Sequence, residues 1–215
     1  LVNYWLIQPA FDELERSQAM EDSMRAGAAI QGELRQLDNA FGNWAEWDDA
    51  YAFAENRNPH FIQSNLGDWR VLEKSSHLNL CVILARDGQV LYNGGYDTDL
   101  GGKVSLAAFS GERPAILATL RPVLEREQAL EGILSTERGL LLLAARPILT
   151  TQGSGPARGV LVFGRFLDAP LLRALTEQTQ VAFDLFPKDD ARLSPEERDY
   201  SRTLQPGVAA LRPGP

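Results

Sequence analysis

The sequence predicts an α+β fold in which one long N-terminal helix packs on a domain with a central antiparallel sheet. Residues 10–53 contain almost no helix breakers other than glycine, and their apolar residues recur at heptad spacing. Two pairs of β-rich segments are joined by turn-forming residues, which indicates two hairpins. The order helix, hairpin, helices, hairpin, helix and strand is typical of an α+β domain with its helices gathered on one side of the sheet.

The long helix is predicted from a row of mainly apolar residues that are alternately four and three positions apart, called here the seam. The seam consists of Ile30, Leu34, Leu37, Phe41, Trp44, Asp48 and Tyr51, and it continues weakly upstream through Met20, Met24 and Gly27. A helix over residues 10–53 would be about 65 Å long, which is longer than a compact domain of this size needs. We therefore expect its first half to pair with another copy of the chain and its second half to pack on the domain.

The remaining elements follow from turn, cap and strand signals. They are a loop at 56–65 with Asn58-Pro59 as a turn, a short helix at 69–74, a hairpin of 78–86 with 89–93, a glycine-rich loop at 94–102, helices at 115–120 and 123–130, a hairpin of 139–149 with 159–166, a helix at 169–177, a strand at 181–186 and a last helix opening at Ser194. Asp87-Gly88 is the expected two-residue turn of the first hairpin. Asp168 and Pro170 predict a helix start.

The composition excludes several classes of function. A net charge of -8 disfavours nucleic acid and anionic membrane surfaces as partners, because both require a basic face. The single cysteine, Cys81, allows no intrachain disulfide and is predicted to be a buried small hydrophobe. His60 and His77 lack metal-ligand spacing, and the chain has no phosphate-binding, dinucleotide-binding or nucleophile-elbow motif. We therefore predict no cofactor, no metal and no catalytic residue.

Both ends are predicted to be cut points in a longer protein. The apolar run at 140–145 is far too short to span a bilayer. Residues 1–7 are apolar, and they include the Tyr4-Trp5 pair that is typical of a bilayer interface. We interpret them as the outer end of a membrane helix; the alternative is an ordinary exposed first turn. Residues 204–215 are rich in proline and glycine and form no closing element.

An acidic and aromatic segment is the first candidate site. In a continuous helix Trp44, Trp47, Asp48 and Tyr51 share one face, and Asp49 lies about 100° round the axis. The carboxylates could hold a cationic or hydrogen-bonding ligand against a wall of aromatic rings. In the alternative, Asp48 caps or pairs a neighbouring segment and fixes the helix to the sheet, while Trp44 belongs to the core. An enzyme that uses the two carboxylates as acid and base is disfavoured, because adjacent helical residues point too far apart.

Two arginines are the second candidate. Arg146 and Arg165 each lie near a strand end of the second hairpin in apolar surroundings, where a guanidinium offers a planar fork to a carboxylate. The partner is either a ligand or the pair Asp48 and Asp49, and a structural ion pair is the alternative to ligand binding. Trp69 opens the short helix at 69–74 and could belong either to the site or to the core.

The chain resembles the CHASE4 family of extracytoplasmic sensor domains over roughly residues 38–180. The resemblance depends on two motifs in this order, Trp44-x-x-Trp47-Asp48-Asp49-x-Tyr51-x-Phe53 and Gly153-Ser154-Gly155-Pro156-x-Arg158-Gly159-x-Leu161-x-x-Gly164-Arg165. Asn65-Leu66-x-x-Trp69, the hairpin around Asp87-Gly88 and Arg146-Pro147-Ile148 add to it. The chain departs from the family at Gln152-Gly153, where an acidic residue is common.

The resemblance implies a Cache/PAS-like periplasmic domain between two transmembrane helices of a bacterial receptor. Such domains precede diguanylate cyclase and phosphodiesterase modules, histidine kinases or chemotaxis-type output. Residues 1–37 would then be a membrane-proximal helix that supports a homodimer, and residues 38–215 the sensor domain. The residues expected to bind an unknown small ligand are Trp44, Trp47, Asp48, Asp49, Tyr51, Trp69, Arg146 and Arg165. The alternative is a dimerisation and signal-transmission domain that has no small ligand.

Overall fold

The computed structural model describes residues 4–99, 101–186, 190–196 and 199, with the side chains of the first helix described from Ser17 onward. The chain divides into two compact units, which are described separately. One comprises residues 33–168, and the other comprises residues 1–32 together with 169–215. The predicted α+β class is confirmed by a long first helix and a six-stranded antiparallel sheet.

The elements run in chain order as α1 Tyr4–Ala45, α2 Asp48–Asn56, α3 Pro59–Leu66, α4 Trp69–Ser76, β1 Leu80–Ala85, β2 Val90–Asp97, β3 Gly102–Lys103, a 3₁₀ turn Ala107–Phe109, α5 Leu117–Arg126, β4 Leu130–Thr136, β5 Gly139–Pro147, β6 Gly159–Phe166 and α6 Ala169–Thr179. Within the described residues, no helix has both the length and the apolar composition that crossing a bilayer requires.

The sheet is ordered β3-β2-β1-β6-β5-β4, with every pair of neighbouring strands antiparallel. Both predicted hairpins are confirmed, as β1 with β2 and β5 with β6. The sequence did not predict β4, an edge strand that begins at Leu130, where a helix was expected to end. Ile133 in this strand is 43% exposed.

The sheet is covered on both faces. One face, called here the core face, packs against the segment 104–123 through a cluster that consists of Leu80, Val82, Leu84, Val104, Leu106, Phe109, Ile116, Leu120, Val123, Leu141, Leu143, Ala145, Val160, Val162 and Phe166. Since α5 supplies Leu120 and Val123, the expectation that all helices lie on one side of the sheet is wrong.

The opposite face, called here the helix face, carries the alternate residues of the same strands. The second part of α1 lies on it, with Leu34, Leu37 and Phe41 buried. The Phe41 ring stacks on Phe163 of β6 with 5.0 Å between centroids. Cys81 is fully buried, as predicted, and burial raises the pKa of its thiol far above the usual range. This thiol therefore remains neutral.

The predicted loop at 56–65 is wrong, because the structure contains α3. Asn58 is its N-cap, and its side chain accepts a hydrogen bond from the backbone N–H of His60 at 3.0 Å. Pro59 takes the first helical position, where its missing N–H has no consequence. Asn-Pro here marks a helix start rather than a turn.

The predicted glycine-rich loop at 94–102 is also wrong at its beginning, because β2 continues through Gly94 and Gly95. A Cβ at Gly94 would lie 2.2 Å from the Tyr92 hydroxyl, and one at Gly95 would lie 2.5 Å from the Asn79 carbonyl oxygen. Gly95 is therefore required by the close approach of the neighbouring backbone, whereas a side chain at Gly94 would displace the Tyr92 ring.

The unit formed by residues 1–32 and 169–215 contains α6, which confirms the helix predicted at 169–177. Arg25 of α1 donates a hydrogen bond to the Thr179 carbonyl at 3.3 Å. The strand predicted at 181–186 is wrong, since these residues have no regular structure. The last predicted helix is described only at residues 195, 196 and 199, which are helical; residues 197 and 198 lie outside the described residues.

Candidate functional site

The acidic and aromatic segment is divided between two helices. α1 ends at Ala45, and α2 begins at Asp48. Between them Trp47 is extended, and Glu46 forms a parallel bridge with Leu149. The Leu149 N–H also donates to the Ala45 carbonyl at 2.8 Å. The predicted continuous stripe is therefore wrong, because strand-like pairing with residue 149 interrupts the helix for two residues.

Asp48 joins α2 to the loop between β5 and β6. Its backbone N–H donates to Thr151 Oγ1 at 3.1 Å, and the Thr151 N–H donates to the Asp48 carboxylate at 2.9 Å. The expectation that Arg146 or Arg165 would be its partner is wrong. Fixing the helix to a neighbouring segment, the alternative role, is the one that these contacts support. Asp49 is exposed in the first turn of α2, where a carboxylate is favourable to the helix dipole.

Tyr51 and Arg158 complete the contact between the two family motifs. The Tyr51 hydroxyl donates to the Pro156 carbonyl at 3.2 Å. The Arg158 guanidinium carbon lies 3.9 Å from the centroid of the Tyr51 ring, and Nη1 donates to the Tyr51 carbonyl at 3.2 Å. Arg158 also pairs with Glu55 at 2.9 Å. Asp48, Tyr51, Thr151, Pro156 and Arg158 are called the motif clasp below.

Arg158 was not selected among the predicted site residues, although it stands in the second motif. The signal that could have identified it is the spacing Gly155-Pro156-x-Arg158, which places an arginine directly after a tight turn. Gly155 has a φ of +91°, and a Cβ there would lie 3.0 Å from the Tyr51 hydroxyl. The turn therefore needs glycine both for its backbone and for the approach of Tyr51.

The predicted tryptophans each pack against a different aromatic side chain. Trp47 lies 5.8 Å from Phe61, measured between ring centroids. The Trp69 indole N–H donates to the Tyr92 hydroxyl at 2.9 Å, which connects α4 to β2. Trp44 packs edge-on against Phe163 of the helix face at 6.1 Å. The indoles thus belong to separate contacts, and the single aromatic wall expected around the carboxylates is not formed.

Arg146 binds two acidic residues, one within α1 and one directly after it. Its Nε donates to Asp38 at 2.6 Å, its Nη2 donates to the other oxygen of the same carboxylate, and its Nη1 lies 3.4 Å from Glu46. Gly42 lies one helical turn from each acid, and a Cβ there would be 2.9 Å from the guanidinium carbon. The hydrogen bonds to Asp38 raise the pKa of Arg146, so it remains a cation. Arg146 with Asp38, Gly42 and Glu46 is called the Arg146 cluster below.

Arg165 makes a second ion pair with the same helix, at 2.7 Å from Glu33. Both arginines that were predicted to meet Asp48 and Asp49 or a ligand therefore bind carboxylates of α1 instead. The ion-pair alternative describes the contacts that the structure shows, with other partners. The second part of α1 is consequently held on the helix face by two guanidinium–carboxylate pairs and by the apolar residues between them.

A concave surface of about 370 Å³ lies beside the motif clasp. It is formed where the end of α2, the turn between β1 and β2, and the end of the β5–β6 loop come together. Its lining residues are Ala54, Glu55, Ala85, Arg86, Asp87, Pro156, Ala157 and Arg158. This groove carries charges of both signs and contains none of the residues predicted to bind a ligand. Within the described ranges, no group of three His, Cys, Asp or Glu side chains is placed to hold a metal ion.

A model of the CHASE4 domain family matches residues 29–186, which is most of the chain. The chain belongs to the CHASE4 family. CHASE4 domains are extracellular sensor domains without catalytic activity of their own, so this CHASE4 chain is a sensory module of a signalling protein. Its relatives include the methanogenesis regulatory histidine kinase FilI of Methanothrix harundinacea (strain 6Ac), which is 29% identical over 143 residues. This match covers 65% of the CHASE4 chain and 15% of the kinase.

Proposed function

We propose that this chain is the periplasmic ligand-sensing module of a bacterial transmembrane receptor, and that α1 carries its response toward the membrane. The observation that supports this most is the geometry of α1, a helix of 42 residues whose last part is bound to the sheet by Arg146 and Arg165. A helix of this length extends about 60 Å, which suits a connection between a sensor and a membrane segment. The relationship to a histidine kinase supports a kinase as the output, and a cyclic-di-GMP cyclase or phosphodiesterase is the other expected output.

The groove is the proposed point of entry for a ligand. A molecule that binds Arg86 and Asp87 on one side and residues 156–158 on the other would shift the β5–β6 loop relative to α2. That loop holds Asp48 through Thr151, and its first residues hold the end of α1 through Leu149. The loop would then have two positions relative to α2, and a ligand changes their populations only if it binds one position more tightly than the other. The ligand roles predicted for the aromatic and acidic segment and for both strand arginines remain predictions.

The test is thermal stabilisation of the chain by amino acids, small dicarboxylates and polyamines, which are the classes that a groove of mixed charge could hold. We expect one class to raise the midpoint of unfolding, and Arg86→Ala to weaken the effect. Arg121→Ala is the control, because Arg121 lies on the exposed side of α5. A stabilisation that Arg86→Ala leaves unchanged would remove the groove from the proposal.

A second candidate function is dimerisation and signal transmission without a small ligand. Its support is the exposure of Met20 at 60% and Met24 at 62%, one turn apart on α1, where a second copy could cover them. Sedimentation of the chain should then show self-association that Met20→Glu with Met24→Glu abolishes. A monomer at all concentrations would contradict this function.

A further inference from the structure

Two arginines begin from neighbouring positions at the end of the sheet beside the groove. Ala85, the last residue of β1, pairs with Gly159, the first residue of β6. The pairing continues by one step, because the Arg86 N–H donates to the Arg158 carbonyl at 3.1 Å. Residues directly opposite each other in an antiparallel pair have Cβ atoms about 5 Å apart, and like charges there are unfavourable. Both arginines line the groove, so its wall carries two neighbouring cations.

Both guanidinium groups are fixed by the protein without using all of their donors. Arg158 lies on the Tyr51 ring and donates through Nη1 to the Tyr51 carbonyl at 3.2 Å. Arg86 donates through Nη1 to the Ala157 carbonyl at 3.3 Å. Since a guanidinium has five N–H donors, each arginine retains donors for a further acceptor. The two groups are therefore placed in advance for an anion.

The carboxylates around these arginines differ in how they are held. Asp87 and Glu127 accept hydrogen bonds from main-chain N–H groups, at 3.0 and 2.9 Å. Glu55 pairs with Arg158 at 2.9 Å, and its side chain is 68% exposed. Among the residues that the structure describes, no acidic side chain forms an ion pair with Arg86. Arg86 therefore lacks a carboxylate partner, and Arg158 has an exposed one.

Glu55 is weakly held at Arg158. It lies in the last turn of α2, where the helix dipole disfavours a negative charge. Exposed ion pairs contribute little to stability, because water and salt compete for both groups. A carboxylate from solution can therefore replace Glu55, while Arg158 keeps its position through its two contacts with Tyr51.

We propose that the groove binds a short dicarboxylate, with one carboxylate on Arg86 and the other on Arg158, and that Glu55 competes with it for Arg158. A planar guanidinium binds a carboxylate through two parallel N–H bonds, which gives the site its preference for this group. The bound anion also offsets the repulsion between the two arginines. The inference rests on the proposed function, because it names the ligand class of the same groove.

The exchange gives binding a structural consequence. Glu55 belongs to α2 and Arg158 is the last residue of the β5–β6 loop, so their ion pair connects these two segments. A ligand that replaces Glu55 removes this connection and leaves the bond between Asp48 and Thr151 in place. The two arrangements differ in ligand affinity, as a change in their populations requires, because Arg158 is unoccupied in only one of them.

The experiment measures the binding of succinate to the whole chain by calorimetry at constant ionic strength, with putrescine as a cation of similar length. Glu55→Gln should bind succinate about two- to fivefold more tightly than the parent, because an exposed competitor is lost. Arg86→Gln should weaken binding about tenfold or more, through loss of charge-assisted hydrogen bonds. The control is Glu125→Gln, which removes the same charge from an exposed pair on α5 and should leave the affinity unchanged.

Several results would overturn the proposal. The competition is wrong if Glu55→Gln binds succinate no more tightly than the parent and the control. The site is wrong if Arg86→Gln leaves the affinity unchanged, or if neither the parent nor Glu55→Gln binds succinate. Binding of putrescine in place of succinate would show that the acids form the site.

Arg158 is followed without substitution, because it also supports Tyr51. In NMR spectra of the arginine Nε–H groups, succinate should shift the signals of Arg86 and Arg158 and leave that of Arg121 unchanged. An Arg158 signal that does not move would contradict the proposed pose.

Failure of this inference is distinguishable from failure of the proposed function. If an amino acid or a polyamine stabilises the chain, Arg86→Ala weakens that effect and succinate does not bind, the dicarboxylate is wrong and the groove remains the sensing site. If Arg86→Ala leaves every stabilisation unchanged, the groove and this inference are both wrong.

Discussion

Replacing Arg146 by methionine should weaken the attachment of α1 to the sheet. Methionine keeps most of the length and the apolar stem of arginine, so packing beside Gly42 is largely retained. The charge and both hydrogen bonds to Asp38 are lost. Asp38 would then be a buried carboxylate without its cation.

The expected cost follows from the exposure of the pair. The Arg146 side chain is 28% exposed and that of Asp38 is 10% exposed, so the pair lies between the surface and the interior. Exposed pairs contribute about 0–1 kcal/mol, whereas breaking a buried pair costs about 3–5 kcal/mol. We expect Arg146→Met to reduce the free energy of unfolding by about 2–3 kcal/mol, which is about 5–10 °C in the midpoint.

The assay is urea unfolding of the parent, Arg146→Met and the control Arg121→Met. Arg121 and Glu125 are 72% and 63% exposed, so the control should change stability by less than about 0.5 kcal/mol. Adding Asp38→Asn to Arg146→Met should recover part of the loss, because it removes the unpaired charge. The reasoning is refuted if Arg146→Met costs no more than the control, or if the second substitution lowers stability further.

Two more substitutions test the contacts of the site against matched controls. Gly32→Ala should stabilise the chain by about 0.5–1 kcal/mol in chemical unfolding, because a Cβ there meets nothing within 4 Å and alanine favours the helix. Gly42→Ala should give no such gain, since its Cβ would press on the guanidinium 2.9 Å away; equal gains would refute the close approach. Asp48→Ala should cost about 1 kcal/mol through loss of the bond to the loop, while Asp49→Ala should change stability little. Equal effects of the two aspartate substitutions would show that the reciprocal bond contributes nothing.

The hairpins could be predicted because their signals are local. Asp87-Gly88 lies in the turn between β1 and β2, which is longer than the predicted two residues, and the β-forming residues before it indicate a strand. The helix at α6 was likewise predicted from the capping residues before it. The turn, cap and strand signals of these elements lie within or next to each element, so a pattern in the sequence is sufficient.

The elements that were predicted wrongly or missed depend on residues far away in the sequence. The helix stops at Ala45 because residue 149 pairs with its end, and the bond of Asp48 to Thr151 spans 103 residues. Nothing within the aromatic segment signals that interruption. Edge strand β4 was missed for the same reason, since residues 130–136 form a strand through their pairing with β5.

The candidate site shows the same division. The sequence identified residues that make contacts, because the two family motifs do meet through Asp48 and Tyr51. The partners were wrong, since the guanidinium groups of Arg146 and Arg165 turn to α1. Which acid an arginine binds depends on how α1 is positioned along β5 and β6. The local spacing of residues in the sequence does not determine that position.

The contact between the end of the first helix and the β5–β6 loop, at Ala45 and Leu149, is made by main-chain atoms. Side-chain substitutions can alter the loops around the groove without removing an amide or a carbonyl from this joint. Under the function proposed above, receptors that share this main-chain contact could differ in what they detect and keep the same connection between the groove and the first helix.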